Sequence, residues 1–558
     1  MMRTLLLRAA PLALCLSVAQ PAPAQVTAPT AAAPAIPQLT AEQWRADLKF
    51  MAAEMERRHG NLYHKVSRDQ FAAAVADLDA RIPTLERNQI IVGMMRIAAL
   101  AGDGHSRVDP RKDAKFGFPS LPLKLYLFED GLYVRAARPD YAGLIGSRIE
   151  AIGGIPVDEA IRRVRAISSV DNEVGYRLFA PLYLNMPDIL HALGLSTRRD
   201  AAVLKLRKGR RSWTATVPAG EVEASWPPDT DISLVTPAGW SDARVTPLPL
   251  WLQAPLDYHR LIALPERQAL YAQINMITDI PGQSLAAFGE RIRKQAEAAN
   301  PRAVIIDLRL AYGGNHDLRH RFIRELVKTE DEDTQLFVLT WRGSFSATEA
   351  LLVDLDRLTN AVFLGEPASS KPNSWGDAYR MAMPNSGISV RTSLYWNQLK
   401  GQSAEPWTAI DIAVPYTFAD YAAGRDPVLE AALSYRPAAP LGDRLVAAAA
   451  AGGAEEVRKA LAAYRSDPTN RYQHLDRLLP QAAEALYARR RPEEALLVAE
   501  IAARDFPTSA GAWNVLAHMA ERSNRPAMAL QAGRRVLELD PNNRLARSLV
   551  ERTQQAVQ

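Results

Sequence analysis

The chain has 558 residues, a formal net charge of +5 and a single cysteine, Cys15. The length allows about three or four domains at roughly 100–200 residues each. The charge is mild and gathers into no dense Lys/Arg stripe, so nucleic acid is not an expected partner. One cysteine excludes a disulfide scaffold and a cysteine metal site.

The first segment reads as an export signal. Arg3 and Arg8 precede an apolar run, Ala9 to Ala19, and Ala22-Pro23-Ala24 supplies a small-residue exit before Gln25. Residues 1–24 are therefore expected to be a signal peptide. The run is shorter than the ~20 apolar residues a membrane span needs. Bulky Leu14 before Cys15 argues against lipid attachment. The mature protein is expected to be periplasmic or secreted, with no stable membrane span. Residues 25–39 are rich in Ala, Pro and Thr and read as a disordered linker.

Residues 40–115 read as a helical N-terminal domain. Thr40 to Gln43 and Ser67 to Gln70 form capping boxes. Trp44, Leu48, Met51 and Met55 share one helical face, as do Phe71, Val75, Leu78 and Ile82, and then Ile90, Met94, Ile97 and Ala101. The third helix ends at the turn Gly102-Asp103-Gly104-His105-Ser106. Residues 116–222 carry short strands, with a turn at Gly153-Gly154, a helix from Asp158 and a helical insertion over 170–200. Residues 223–264 are a connector. Residues 265–436 alternate strands and helices, with Ala303 to Leu308 a continuous apolar run of the buried-strand kind, which implies a parallel or mixed sheet. Residues 437–558 are helical and repetitive: Pro492, Ala495 and Pro507 recur 34 residues later as Pro526, Ala529 and Pro541. That is the tetratricopeptide period, and such stacks bind peptides or partner proteins in a groove. The fold class is multidomain α+β.

The order of strands and helix over 116–222 resembles the peptide-binding part of a PDZ domain, where an extended peptide adds to a strand edge. A longer set of motifs follows in the core. Ile306-Asp307-Leu308-Arg309 with Gly313-Gly314, then Ser344-Phe345-Ser346-Ala347-Thr348-Glu349, then Phe363-Leu364-Gly365-Glu366-Pro367, then Pro384-Asn385-Ser386-Gly387, Asp411-Ile412 and Gly424-Arg425-Asp426-Pro427 stand in the order of the C-terminal processing and tricorn-like serine peptidases. Residues 40–435 resemble that family. The resemblance implies a crotonase-like α/β catalytic core in 265–436, Ser346 as nucleophile, and an oxyanion hole from Ala347 N–H with a backbone N–H of Gly313 or Gly314.

Taken alone, a serine where a strand turns into a helix has two readings. Unpaired N–H groups and the helix dipole favour a developing oxyanion there; equally, Ser344 or Ser346 could simply cap the helix. A nucleophilic serine also needs a base. Lys371, just past Gly365-Glu366-Pro367, matches the lysine of Ser-Lys relatives, but Trp375 stands where those often have glutamine. His105 sits in a turn resembling that of the tricorn-like branch and titrates near neutrality without heavy tuning. His105 is the favoured base, with Lys371 a charged neighbour or alternative, and Glu405 is the residue proposed to orient the histidine.

His316 and His320 stand four apart without the glutamate of a zinc motif, so no metal is expected, and no cofactor. Asp307 and Arg309 read as a structural ion pair at the sheet end. The expected function is an exported serine endopeptidase acting on polypeptide, with a protein partner recruited through the repeats. The rivals are a non-catalytic binding protein on a protease scaffold and an esterase using the same serine.

Overall fold

The computed structural model describes residues 38–109, 117–220, 234–330, 333–401 and 403–557. The expected signal peptide and nearly all of the expected linker lie outside them. Three helices open the described chain, Ala41–Arg58, Arg68–Arg81 and Arg87–Ala99. The first two start where their capping boxes stand: Thr40 and Gln43 exchange bonds, as do Ser67 and Gln70. Trp44, Leu48, Met51, Phe71, Leu78, Ile90 and Met94 are buried.

Those helices do not close a core of their own. Their buried faces are continuous with Leu123, Val134, Ile149, Leu204 and Leu206 of the next module, and with Met383 and Val390 from far down the chain. Three short helices cannot cover a shared apolar face by themselves. The module is an antiparallel sheet in the order Leu123–Phe128, Gly131–Ala137, Arg148–Ile152, Ala201–Lys208, Arg211–Pro218. Between its third and fourth strands the chain makes three helices, Val157–Arg165, Glu173–Tyr183 and Pro187–Ala192.

The core sheet has six strands, in the order Ile412–Ala413, Val362–Gly365, Gln335–Thr340, Ala303–Asp307, Ala269–Ile274, His259–Leu264. All neighbours are parallel except the last pair. The edge strand His259–Leu264 lies in what the sequence reads as connector; its apolar run, Leu261 to Leu264, is only four residues long and not fully buried. One face packs Leu270, Val304 and Leu336 against the helices Leu285–Ala299, Arg319–Val327 and Ala347–Leu358; the other packs Tyr271, Ile305 and Phe337 against Pro427–Leu433. In such sheets the loops leaving the carboxyl ends of parallel strands gather side chains at one edge. Here those loops are 308–314, 341–346 and 366–371.

Among the described residues the tail is helical from Leu441–Ser466, which is broken into two helices at Gly452–Gly453, to Arg544–Val557. The 34-residue repeat has matching geometry. Pro492 and Pro526 each open a helix at its first turn, after a residue at φ −115° in both cases, and Ala495 and Ala529 are both fully buried. The tail is fastened to the core through Trp407 Nε1, which donates to Tyr472 O at 3.1 Å, and Gln473 Nε2, which donates to Asp411 O at 2.8 Å. Among the described residues no helix is long and apolar enough to cross a membrane.

Candidate active site

The strand Gln335–Thr340 ends in the turn Trp341 to Ser346, and the next helix begins at Ala347. Neither serine of the turn caps that helix. Ser344 is buried, and its Oγ donates to Leu308 O at 2.9 Å. Ser346 is held at φ 57° and ψ −120° and makes no side-chain cap bond. A side chain in that backbone region is strained by about 1–3 kcal/mol, which the surroundings must offset. The backbone is pinned on both sides: Phe345 N–H donates to Ala311 O at 3.1 Å, and Ser346 N–H donates to Ser370 Oγ at 2.8 Å.

The strain aims Ser346 Oγ at His105, whose Nε2 lies 3.1 Å away. His105 comes from the turn after the third N-terminal helix, so the hydrogen bond joins two modules. Its ring stacks on Phe345 at 4.5 Å between centroids. Asp103 fixes the turn. Its Oδ1 accepts N–H groups from His105 and Ser106, at 2.9 and 2.6 Å, and the Ser393 hydroxyl at 2.7 Å, while its Oδ2 meets His59 Nε2 at 3.0 Å. Burial pushes the His105 imidazole down to about 4, against an attraction from Asp103. The ring is therefore neutral at pH 7 and free to accept a proton.

Gly313 and Gly314 sit directly beside the serine. Their φ values are +120° and +133°, where a side chain is disfavoured. A Cβ on Gly313 would come within 2.9 Å of Ser346 Cβ, and one on Gly314 within 2.1 Å of Ile277 O. Gly314, Ser346 and Ala347 line one cleft of about 350 Å³ together with His105, Asn315 and His316. Among the described residues no hydrogen bond engages the N–H of Gly314 or Ala347. Gly314→Ala keeps the N–H, but its Cβ would collide with Ile277 O and shift that N–H out of place; if the N–H is an oxyanion donor, labelling of Ser346 is expected to fall by about 10²–10³-fold, the usual effect of a lost donor. Single-turnover labelling with unchanged far-UV circular dichroism would check this.

The other sequence candidates lie elsewhere. Lys371 is half-buried beside Lys65 and Asp171; burial, then Lys65, lowers its pKa, and it makes no hydrogen bond to Ser346. The structure does not bring Glu405 to His105. Its carboxylate faces Lys400 at 2.8 Å and Arg477 at 3.2 Å, so it belongs to the contact between core and tail. Trp375 packs on His59, His64 and Trp396 rather than reaching the serine. His316 faces the cleft, while the nearest acid to His320 is Asp354 at 3.8 Å. Among the described residues no group of three His, Cys, Asp or Glu could hold a metal. Asp103 stands in the same turn as His105, whereas Ser370 carries no sequence signal as a contact of the pair; it is one polar residue in a loop 24 positions beyond Ser346.

No family model and no curated protein matches the chain. Solved structures do. Mature CPAF complexed with lactacystin is 13% identical over 68% of this chain and 95% of its own, with a TM-score of 0.47. The photosystem II D1 C-terminal processing protease is 12% identical over 67% and 93%, with a TM-score of 0.30. Tricorn protease is 14% identical over 70% and 36%, with a TM-score of 0.32.

Proposed function

We propose that the chain is an exported serine endopeptidase that cleaves polypeptide through an acyl-enzyme on Ser346. The observation that carries this reading is the 3.1 Å contact between Ser346 Oγ and a neutral His105 Nε2, made by a serine in a strained turn beside unengaged N–H groups. A nucleophile, a base and an oxyanion site within one cleft are the parts acyl transfer requires.

Ser346 Oγ attacks the substrate carbonyl carbon as its proton passes to His105 Nε2. The oxyanion accepts from Ala347 N–H and Gly314 N–H. Collapse breaks the C–N bond, and the leaving amine takes the proton from His105. Water then attacks the acyl carbon with His105 again as base, releasing the carboxylate and restoring the Ser346 hydroxyl. The ordered motifs that resemble the processing peptidases support a peptide bond as the substrate. The first-segment pattern from Met1 to Ala24 supports a periplasmic or secreted location, and the 34-residue repeat supports a tetratricopeptide-like tail that receives a protein partner.

The test is labelling of the mature chain with a fluorophosphonate probe, followed by peptide mapping. The expected result is one modified residue, Ser346, with no label in S346A. A folded wild-type protein that takes no label overturns the enzyme reading and leaves a binding protein on this scaffold. Label on Ser346 with turnover of esters but of no peptide would make it an esterase.

A further inference from the structure

The hydrogen bonds behind the Ser346–His105 pair converge on two adjacent residues that no motif marks. Asp171 is buried, in the stretch that enters the helix Glu173–Tyr183. Its Oδ1 accepts the N–H of Gly104, the residue before His105, at 2.8 Å. Asn172 donates through Nδ2 to the carbonyls of Ala368 at 2.9 Å, Ser370 at 3.1 Å and Pro406 at 2.8 Å. The loop it holds returns to the nucleophile: Ser370 Oγ accepts Ser346 N–H at 2.8 Å, and Ser369 N–H donates to Ser344 O at 3.0 Å. One dipeptide thus grips both loops that carry the pair, although Ser346 and His105 are 241 residues apart.

We propose that Asp171 is a positioning residue, whose ionised carboxylate fastens the His105 turn to the Ser370 loop and so sets the distance from His105 to Ser346. This rests on the reading of Ser346 as nucleophile and His105 as base. A carboxylate holds an N–H about twice as strongly as a neutral acceptor does. The charge is poorly supported where it sits. Asp171 Oδ2 is buried and has no hydrogen-bond partner among the described residues.

The groups facing it come from each packed element. Asp103, in the His105 turn, opposes its charge; Lys371 and the Ser370 hydroxyl, in the loop behind Ser346, favour it. Glu349, on the helix Ala347–Leu358, interacts with it and is itself pushed up to about 8 by burial. Burial first, then Asp103, push Asp171 up to about 7. Asp171 is therefore neutral below that pH and ionised above it, and the grip on Gly104 tightens as pH rises through about 7.

The measurement is the rate of fluorophosphonate labelling of Ser346 from pH 5 to pH 9 in the mature wild type and in D171N. In the wild type the rate is expected to rise through pH 7. In D171N that rise disappears and the high-pH rate falls about tenfold or more, the scale of loss for a misplaced catalytic group. A residue that only stabilises the fold would lower the rate at all pH values and leave the step in place. A step near pH 7 that persists in folded D171N overturns the proposal. Should D171N fail to fold, a wild-type rate that is flat from pH 6 to pH 8 overturns it as well. Absence of label on wild-type Ser346 at every pH is a separate result, which removes the nucleophile reading and this one with it.

Discussion

His105→Ala is expected to lower the rate of acylation of Ser346 by about 10²–10⁴-fold, and Lys371→Ala by no more than about threefold. Geometry decides between them before basicity does. His105 Nε2 is 3.1 Å from the hydroxyl that must lose its proton, whereas Lys371 makes no hydrogen bond to it. The histidine is also in the required state. Burial pushes it down to about 4, so it is neutral across the physiological range, and the labelling of wild type that remains below the Asp171 step near pH 7 is expected to collapse as pH falls through about 4. In the proposed mechanism the imidazolium needs a counter-charge. Asp103 attracts His105 more than any other acid and pulls its pKa back up. Its own carboxyl is lowered to about 2: burial opposes the charge, but the bonds from His59 and Ser393 outweigh it. Asp103 is therefore ionised at any pH where the proposed transfer to His105 would occur. Labelling rates of the two variants beside wild type, each shown to be folded, check the assignment. Equal losses in H105A and K371A would overturn it.

The parts legible in sequence were those set by local rules. Capping boxes placed the first two helices, a continuous apolar run placed the strand Ala303–Asp307, and the 34-residue offset placed the repeated helices. The motif order singled out Ser346, which the structure sets 3.1 Å from His105, and the structure joins two pairs of those motifs physically. Arg309 binds Asp426, and Phe363 N–H donates to Asp411. What sequence did not show depends on long-range contact. Asp171 reaches Gly104 across 67 positions and has no periodicity or spacing around it. The core shared by the N-terminal helices and the β module needs Met383 and Val390, residues that a local reading assigns to another domain. Glu405 was placed near the histidine by analogy, and its true neighbours, Lys400 and Arg477, include one from the tail.

Arg309→Met is expected to destabilise the core by about 3–5 kcal/mol, the cost of leaving buried charges without their partner. Arg309 is 3% exposed and sits between two carboxylates. Its Nη2 donates to Asp307 at 2.6 Å and to Asp426 at 2.8 Å, and its Nη1 donates to Asp426 at 2.8 Å. The guanidinium also lies 4.4 Å from the centre of the Trp251 ring. Asp307 ends a central strand and accepts the Tyr271 hydroxyl at 2.6 Å; Asp426 caps the helix Pro427–Leu433 through Leu429 N–H at 3.1 Å. Removing the cation therefore strands two acids, one at the end of the sheet and one at the start of a helix packed on it. Denaturant unfolding of R309M against wild type measures the loss. Arg309→Lys separates charge from shape. Lysine restores the positive charge but has no planar fork with which to grip two carboxylates at once. R309K is expected to recover part of the stability and to stay below wild type, whereas full recovery would show that charge alone holds the strand end to the helix.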